Sequence, residues 1–198
     1  MSKWGIEEKE TLAAIDKIGL TGNILDVAAG DGRFINKLLN ISNSVTAIDI
    51  NENELKCLKN NCPQELLNKL NVEVVDITKP FPYEDNSFDG AFCTGTLHLF
   101  SKDIIVFIIK EIERCLKSNG KIVLDFATDI KRYDNNGKEV IIEGEGCYSK
   151  EEAHLLFKEL LNNFSFSVQE STFSEDNLSE TGYNSINGNF LIISGYKK

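Results

Sequence analysis

Short apolar runs alternate with longer amphipathic stretches along most of this chain. Apolar runs between polar turns are typical of buried strands, whereas apolar residues three and four positions apart are typical of helices. The predicted strands are Ile24–Ala28, Val45–Ile48, Val72–Val75, Phe88–Cys93 and Ile122–Ala127, and the predicted helices lie near Arg33–Leu39, Glu52–Asn60, Ile104–Leu116 and Lys150–Asn162. Strands that alternate with helices predict right-handed βαβ crossovers and a mostly parallel sheet.

The segment Ile104–Leu116 carries two conflicting signals. Its first half is rich in Ile, Val and Phe, which favour strands. Its length and the charged residues at its end favour a helix, and Asn119-Gly120 is a suitable sequence for ending one. We therefore predict a helix here.

The last part of the chain departs from the alternation of strand and helix. Phe164–Thr172 and Phe190–Tyr196 are two strand-like runs with no helix between them, and the polar segment Phe173–Asn189 is expected to connect them. Such a pair is expected to be antiparallel, at the edge of the sheet. We predict a single α/β domain over residues 1–198, a doubly wound, Rossmann-like, seven-stranded sheet that is mostly parallel and has an antiparallel C-terminal edge pair.

Two segments show no strong periodicity. Residues 1–21 are expected to form an N-terminal helical cap, and residues 128–147 an insertion that covers a substrate. Both are expected near the carboxyl ends of the strands, where open α/β sheets bind their ligands. Trp4, the single tryptophan, either caps this pocket or anchors the N-terminal helix.

Charge and cysteine content narrow the class of partner. The formal net charge is −10, and the densest basic cluster is only Lys131-Arg132. Proteins that bind nucleic acids usually carry a basic patch, so a nucleic-acid partner is disfavoured. The five cysteines are odd in number and no pair has C-x-x-C spacing, which disfavours a disulfide framework or a zinc site and favours a reducing compartment.

The apolar runs also bear on location. The first residues contain no run of signal-peptide type, and the longest run, Ile104–Ile109, is too short to span a bilayer. The sequence therefore predicts a cytoplasmic protein with no membrane partner. It leaves open whether the protein is a monomer or a homodimer.

The first predicted strand runs directly into the loop Asp26-Val27-Ala28-Ala29-Gly30-Asp31-Gly32. Small residues let a ligand approach the backbone closely, and the helix that follows offers free N–H groups. The dinucleotide fingerprint fails because its third glycine is replaced by Ile35, and no P-loop signature is present. These features favour a ligand that carries an amine and a carboxylate over one that carries phosphates.

This loop and the segments after it resemble the class I S-adenosylmethionine-dependent methyltransferases of the type 11 and type 25 domains. The first motif of that family has the form acidic-x-G-x-G-x-G, and this chain has Ala28 in place of the first glycine. Alanine suits that position provided that φ stays negative. The further matching segments, in chain order, are Val45–Ile50, Val74–Ile77, Phe81–Asp89, Cys93–His98 and Leu116–Lys121, so that the resemblance covers roughly residues 20–130.

The resemblance implies S-adenosyl-L-methionine as cofactor and S-adenosyl-L-homocysteine as product. It implies that Asp49 binds the ribose hydroxyls, that Asp76 binds the adenine amine, and that Cys93-Thr94 lies beside the methionine part. The cofactor-binding residues that follow from it are Asp26, Ala28, Ala29, Gly30, Asp31, Gly32, Asp49, Ile50, Asp76, Ile77, Cys93 and Thr94. No cluster with metal-ligand spacing appears, so no metal site is predicted.

The acceptor of the methyl group is the open question. His98 follows the fourth strand closely, so it is the candidate base or acceptor-positioning residue; the alternative is that it begins a helix or packs at an edge. The [N/D]-P-P-[Y/F] signature is absent, which disfavours methylation of adenine or glutamine nitrogen by that route. The charge favours a small-molecule acceptor. An RNA or protein methyltransferase, and a nucleotide-binding oxidoreductase or non-catalytic S-adenosylmethionine-binding protein, are the alternatives.

Overall fold

The computed structural model describes residues 8–142, 146–176, 178 and 182–198. Seven strands form one sheet in the order β3-β2-β1-β4-β5-β7-β6. The strands are β1 Asn23–Val27, β2 Ser44–Asp49, β3 Leu70–Val74, β4 Phe88–Cys93, β5 Leu116–Tyr133, β6 Phe164–Asp176 and β7 Ser185–Lys197. The first five are parallel, and β7 is antiparallel to both of its neighbours. This confirms the predicted fold class. Trp4 and residues 143–145 of the expected insertion lie outside the described residues.

Five α-helices occur in the described residues: α1 Lys9–Ile18, α2 Ile35–Ile41, α3 Glu52–Asn61, α4 Lys102–Cys115 and α5 Lys150–Leu160, with short 3₁₀ helices at Gln64–Lys69 and Leu97–Leu99. The helix predicted over residues 104–116 is therefore present as α4. It buries Ile105, Ile108 and Ile112 on one face, which is the helical spacing. Among the described residues, no helix has both the length and the apolar character needed to cross a membrane.

Helix α4 ends earlier than the sequence predicts. Its last residue is Cys115, and β5 begins at the next residue, Leu116. Asn119, with φ of 61°, turns the chain inside the irregular start of β5 and does not end the helix. The apolar side chain of Leu116 explains this early end, because it is fully buried in the sheet core and pairs with Phe88 of β4.

The central strands β1, β2 and β4 are buried on both faces of the sheet. Leu25 and Val27 of β1 belong to one apolar cluster, and Ile24 belongs to the other. The first cluster contains the buried residues of α4 and α5, and the second contains those of α1, α2 and α3. Because successive side chains of a strand point to opposite faces, the helices are divided between the two sides of the sheet, as in a doubly wound fold.

The three C-terminal strands extend further than predicted. Strand β5 continues to Tyr133, β6 continues to Asp176 and β7 begins at Ser185. The prediction of a connection over residues 173–189 was therefore wrong, as was that of an insertion beginning at residue 128. These polar stretches are strands because each pairs with its antiparallel neighbour residue by residue, and that pairing does not need an apolar sequence.

Candidate active site

A cavity of about 500 Å³ lies at the carboxyl ends of β1, β2, β4 and β5. The chain order reverses between β1 and β4, and ligands of open α/β sheets bind at such a switch point. The predicted site residues that line the cavity are Asp26, Ala28, Ala29, Gly30, Asp49, Thr94 and His98. Those that do not line it are Asp31, Gly32, Ile50, Asp76, Ile77 and Cys93.

The loop after β1 contains three residues in the left-handed region: Ala28, Gly30 and Gly32 have φ of 58°, 55° and 82°. The condition under which alanine suits this position, a negative φ, is therefore not met. An L-residue in this region costs roughly 1–2 kcal/mol because Cβ crowds the carbonyl oxygen. The methyl group of Ala28 packs against the core, and this contact offsets part of that cost.

The carboxylate of Asp49 joins this loop to the next helix. At the end of β2, Oδ2 accepts a hydrogen bond from the Gly30 backbone N–H at 2.9 Å, and Oδ1 accepts one from Asn51 N–H at 2.8 Å. The Asn51 side chain in turn caps α3 by accepting from Asn53 and Glu54 N–H. Asp49 therefore fixes the position of the loop as well as facing the cavity.

Two buried carboxyl groups belong to the site: Asp26 lines the cavity, and Asp125 accepts a hydrogen bond from Gly95, which lines it. Asp26 is 4% exposed, and burial, together with the nearby charge of Asp49, raises its pKa to about 7. Asp125 is 3% exposed, and burial raises its pKa to about 7 although the Gly95 N–H and Arg33 favour its charged form. Desolvation of the charged form is the main cause in both cases. Sequence analysis missed Asp125, for which the available signal was an acidic residue inside the apolar run Ile122–Ala127.

Arg33 supplies a positive charge on the loop side of the cavity. Its guanidinium pairs with Glu8 at 2.6 Å and lies 5.0 Å from the centre of the Phe34 ring. Glu8 is the residue that precedes α1, so this ion pair connects the N-terminal helix to the glycine-containing loop. The arrangement places carboxyl groups and a guanidinium around one end of the cavity, which suits a ligand with both an amine and a carboxylate.

Asp76 is turned toward its own loop. Its Oδ1 accepts hydrogen bonds from the Thr78 N–H and hydroxyl at 3.0 and 2.6 Å, and its Oδ2 pairs with Lys79 at 3.0 Å. These hydrogen bonds to Thr78 and Lys79 hold the pKa of Asp76 well below its usual range. The adenine-binding role of Asp76 remains a prediction.

The other predicted residues outside the cavity differ in environment. Ile50 is 67% exposed, directly after Asp49, whereas Ile77, Cys93 and Asp31 are buried. Gly32 is required by packing, since a Cβ there would lie 2.6 Å from the Leu58 side chain.

His98 belongs to the 3₁₀ helix Leu97–Leu99 and is 9% exposed. Its ring lines the cavity and meets the Phe126 ring edge to face, with 6.3 Å between centroids. The structure therefore places the ring both at the cavity and in an aromatic cluster, and its role as a base remains a prediction.

The far wall of the cavity comes from the extended C-terminal strands. Ile130 and Arg132 of β5, Phe173 of β6, and Ile186 and Phe190 of β7 line it. Sequence analysis missed Ile130, Arg132, Phe173 and Ile186 because it assigned their segments to an insertion and a connection. It predicted Phe190 to lie in a strand but did not identify it as a site residue.

A β-bulge in β5 sets the orientation of this wall. The pairing register with β7 shifts between Thr128 and Lys131, and Asp129 has φ of 52°. An extra residue in one strand reverses the alternation of side chains beyond it. As a result Ala127 and Ile130, three positions apart, both line the cavity, while Asp129 and Lys131 line a shallower depression of the surface.

Comparison with known proteins agrees with this geometry. Residues 25–124 match the family described as Methyltransferase domain, which is half of the chain. The chain belongs to this methyltransferase family, and its cofactor is S-adenosyl-L-methionine. No curated protein matches the chain.

Several solved structures share the fold. YcgJ of Bacillus subtilis has a TM-score of 0.72 at 15% identity, over 96% of this chain and 99% of that chain. An S-adenosylmethionine-dependent methyltransferase of Methanosarcina mazei has a TM-score of 0.60 at 22% identity, over 87% and 91% of the two chains. TehB of Haemophilus influenzae has a TM-score of 0.70 at 20% identity, over 97% of this chain and 63% of that one. At these identities the likeness establishes the fold.

Proposed function

We propose that this enzyme transfers a methyl group from S-adenosyl-L-methionine to a small-molecule acceptor held between the glycine-containing loop and the C-terminal strands. The observation that carries this proposal is that one cavity is lined by that loop on one side and by a mainly apolar wall on the other. A cavity of about 500 Å³ is in the range of small-molecule sites.

The residues at the loop end fit the cofactor. Arg33 is suited to the α-carboxylate of the methionine part, because a guanidinium matches a carboxylate in shape and charge. Asp26 is suited to its amine, and Asp49, which already accepts two N–H bonds, has remaining lone pairs for the ribose hydroxyls. The exposed Ile50 is suited to the adenine ring, with Asp76 and Ile77 on the next strand end.

The protein's own residues do not have to activate the methyl group. The bound cofactor would supply an activated methyl group on its sulfonium, which the acceptor would take while the electron pair of the broken carbon–sulfur bond stayed on sulfur. The chain's own residues bind and align the acceptor and exclude water. His98 lines the cavity, and this supports its role as the base that takes the acceptor's proton where the acceptor has one to lose.

Charge and cysteine state support the remaining parts of the proposal. A net charge of −10 opposes the approach of a phosphate backbone, so we favour a small molecule over RNA. All five cysteines are free, which supports a reducing compartment such as the cytoplasm: Cys57, Cys62, Cys93, Cys115 and Cys147.

Two measurements test the proposal. Calorimetry with S-adenosylhomocysteine is expected to give binding that is lost in Gly30→Val, whose side chain would enter the loop; unchanged affinity in a folded Gly30→Val variant would reject this placement of the cofactor. Incubation with labelled S-adenosylmethionine and, separately, total RNA, a protein extract and a metabolite pool is expected to label the metabolite pool. Salt-sensitive labelling of RNA alone would favour an RNA methyltransferase.

A further inference from the structure

Charge is divided unequally between the two sides of the cavity. Among the described lining residues, the carboxylates Asp26, Asp49 and Glu54 come from β1, β2 and α3, on the loop side. The described lining residues of β5, β6 and β7 include no carboxylate and one guanidinium, that of Arg132. The loop side also carries the guanidinium of Arg33, so it has three carboxylates and one guanidinium, whereas the described far wall has one guanidinium and no carboxylate.

Arg132 is held within this wall. It is 9% exposed, and its guanidinium carbon lies 5.4 Å from the centre of the Tyr183 ring. Its backbone is fixed by an antiparallel pair with Ile186 and by a 2.8 Å hydrogen bond from Val140 N–H. A guanidinium carries five N–H donors in a planar fork that matches a carboxylate, and it can serve several acceptors at once.

Beside Arg132 the wall carries a fixed aromatic surface. The rings of Phe173 and Phe190 lie 4.6 Å apart between centroids, at an angle of 34°. Phe173 pairs with Gly188 in the β6–β7 register, and a Cβ at Gly188 would lie 2.9 Å from the Phe173 ring and 2.9 Å from the Thr128 carbonyl oxygen. Glycine at position 188 therefore lets the Phe173 ring lie directly over the backbone of β7. Fixed aromatic rings favour stacked or edge-on contact with another flat ring.

We infer that this wall selects a flat aromatic acceptor that carries a carboxylate. The ring of the acceptor packs on Phe173 and Phe190, with Ile130 and Ile186 around it, and the carboxylate points to Arg132. This inference rests on the proposed function, because it names the substrate class of the same cavity. A carboxylate at this position meets a guanidinium and lies on the other side of the cavity from Asp26, Asp49 and Glu54, the described carboxylates that line it.

The test compares three probes that differ in one property each. 4-Hydroxybenzoate is the aromatic carboxylate, 4-hydroxybenzamide has the same ring without the charge, and 4-hydroxycyclohexanecarboxylate has the charge without the flat ring. Each is titrated by calorimetry into the full chain saturated with S-adenosylhomocysteine. We expect the benzoate to bind about tenfold or more tightly than the amide, since a hydrogen bond to a charged group contributes about 1.5–3 kcal/mol. We expect it to bind severalfold more tightly than the cyclohexane acid.

Single substitutions show which residue is responsible for each of these two binding preferences. Arg132→Met is expected to abolish the preference for 4-hydroxybenzoate over 4-hydroxybenzamide. Phe173→Leu is expected to abolish the preference for 4-hydroxybenzoate over 4-hydroxycyclohexanecarboxylate. Lys131→Met is the matched control, because Lys131 is the exposed neighbour of Arg132 and lines the other depression; it is expected to keep both preferences.

The outcomes separate this inference from the proposed function. The affinity for S-adenosylhomocysteine is measured first. If the unmodified chain does not bind S-adenosylhomocysteine, the proposed function is wrong. If S-adenosylhomocysteine binds but benzoate and benzamide bind equally, or none of the three probes binds, the substrate class proposed here is wrong. This comparison needs only the unmodified chain, so it decides the matter even if Arg132→Met does not fold.

Discussion

The carboxylate of Asp125 accepts a hydrogen bond from the backbone N–H of Gly95, with 2.6 Å between Oδ1 and the nitrogen. Asp125 lies in β5 and Gly95 in the turn after β4, so the bond ties a cavity-lining turn to the neighbouring strand. Thr94 and Thr96 flank Gly95 and line the cavity as well. Asp125 is therefore a positioning residue for this edge of the site.

Two replacements of Asp125 distinguish the contribution of its hydrogen bond from that of its charge. Asp125→Ala leaves the Gly95 N–H without this acceptor, which we expect to lower the free energy of unfolding by about 1–2 kcal/mol and to weaken S-adenosylmethionine binding. Asp125→Asn retains an acceptor oxygen and is expected to restore most of the affinity. Urea unfolding and calorimetry at pH 6 measure both quantities; equal affinities for the Ala and Asn variants would contradict the positioning role.

The two buried carboxyl groups predict an unusual dependence of stability on pH. Asp26 and Asp125 titrate at a pKa of about 7 in the folded protein, compared with about 3.9 in an unfolded chain. The folded state therefore binds more protons between these values, so stability is lost as the pH rises through 7. From pH 6 to pH 8 each group is expected to lower the free energy of unfolding by about 1.4 kcal/mol.

Urea denaturation of the ligand-free protein at pH 6, 7 and 8 measures this loss. Asp26→Asn and Asp125→Asn are each expected to flatten the pH dependence, whereas Glu84→Gln, at an exposed site, is the control and is expected to leave it unchanged. Stability that rises from pH 6 to pH 8 in the unmodified chain would show that the two carboxyls are ionised in the folded state.

The adjacent alanines of the loop are expected to respond oppositely to glycine. Ala28→Gly relieves an L-residue at φ of 58° and is expected to raise the free energy of unfolding by about 0.5–1 kcal/mol. Ala29 does not have a positive φ. Ala29→Gly is therefore expected to lower the free energy of unfolding by about 0.5–1 kcal/mol, because glycine adds entropy to the unfolded chain. Thermal or urea unfolding of both variants checks the difference in sign, and a loss of stability in Ala28→Gly would count against left-handed strain.

Asp49 and Asp76 are expected to contribute unequally to cofactor binding. Asp49→Ala removes a cavity-lining carboxylate and the acceptor of the Gly30 N–H, so we expect S-adenosylmethionine to bind about tenfold to a hundredfold more weakly. Asp76→Ala is expected to have the smaller effect, since that carboxylate is bonded to Thr78 and Lys79. Calorimetry on both variants gives the ratio, and a change below twofold for Asp49→Ala would exclude a ribose-binding role.

Local sequence pattern was sufficient for the parallel half of the fold and for the loop that approaches the ligand. Apolar runs such as Val45–Ile48 are buried on both faces of the sheet, so their composition reports their structure directly. The acidic and small residues of the loop are contiguous, so their order in the chain is enough to identify the motif.

The parts that the sequence did not reveal depend on contacts between distant residues. The partner of Asp125 is Gly95, thirty positions away, and nothing local to either residue indicates the bond. Arg132 and Phe173 lie in polar stretches that become strands only by pairing with β7. The left-handed conformation of Ala28 likewise contradicts the preference of its residue type and follows from the constraints of the loop.

The bulge at Asp129 gives the far wall two alternative sets of cavity-facing residues. A one-residue slip of the end of β5 along β7 would pair Asp129 with Gly188, absorb the extra residue and turn over every side chain beyond it. Lys131 and Tyr133 would then face the cavity in place of Ile130 and Arg132, while the loop on the opposite side would keep its sequence. A change that shifts this pairing is thus a route by which a descendant of this enzyme would acquire a new acceptor and retain its methyl donor.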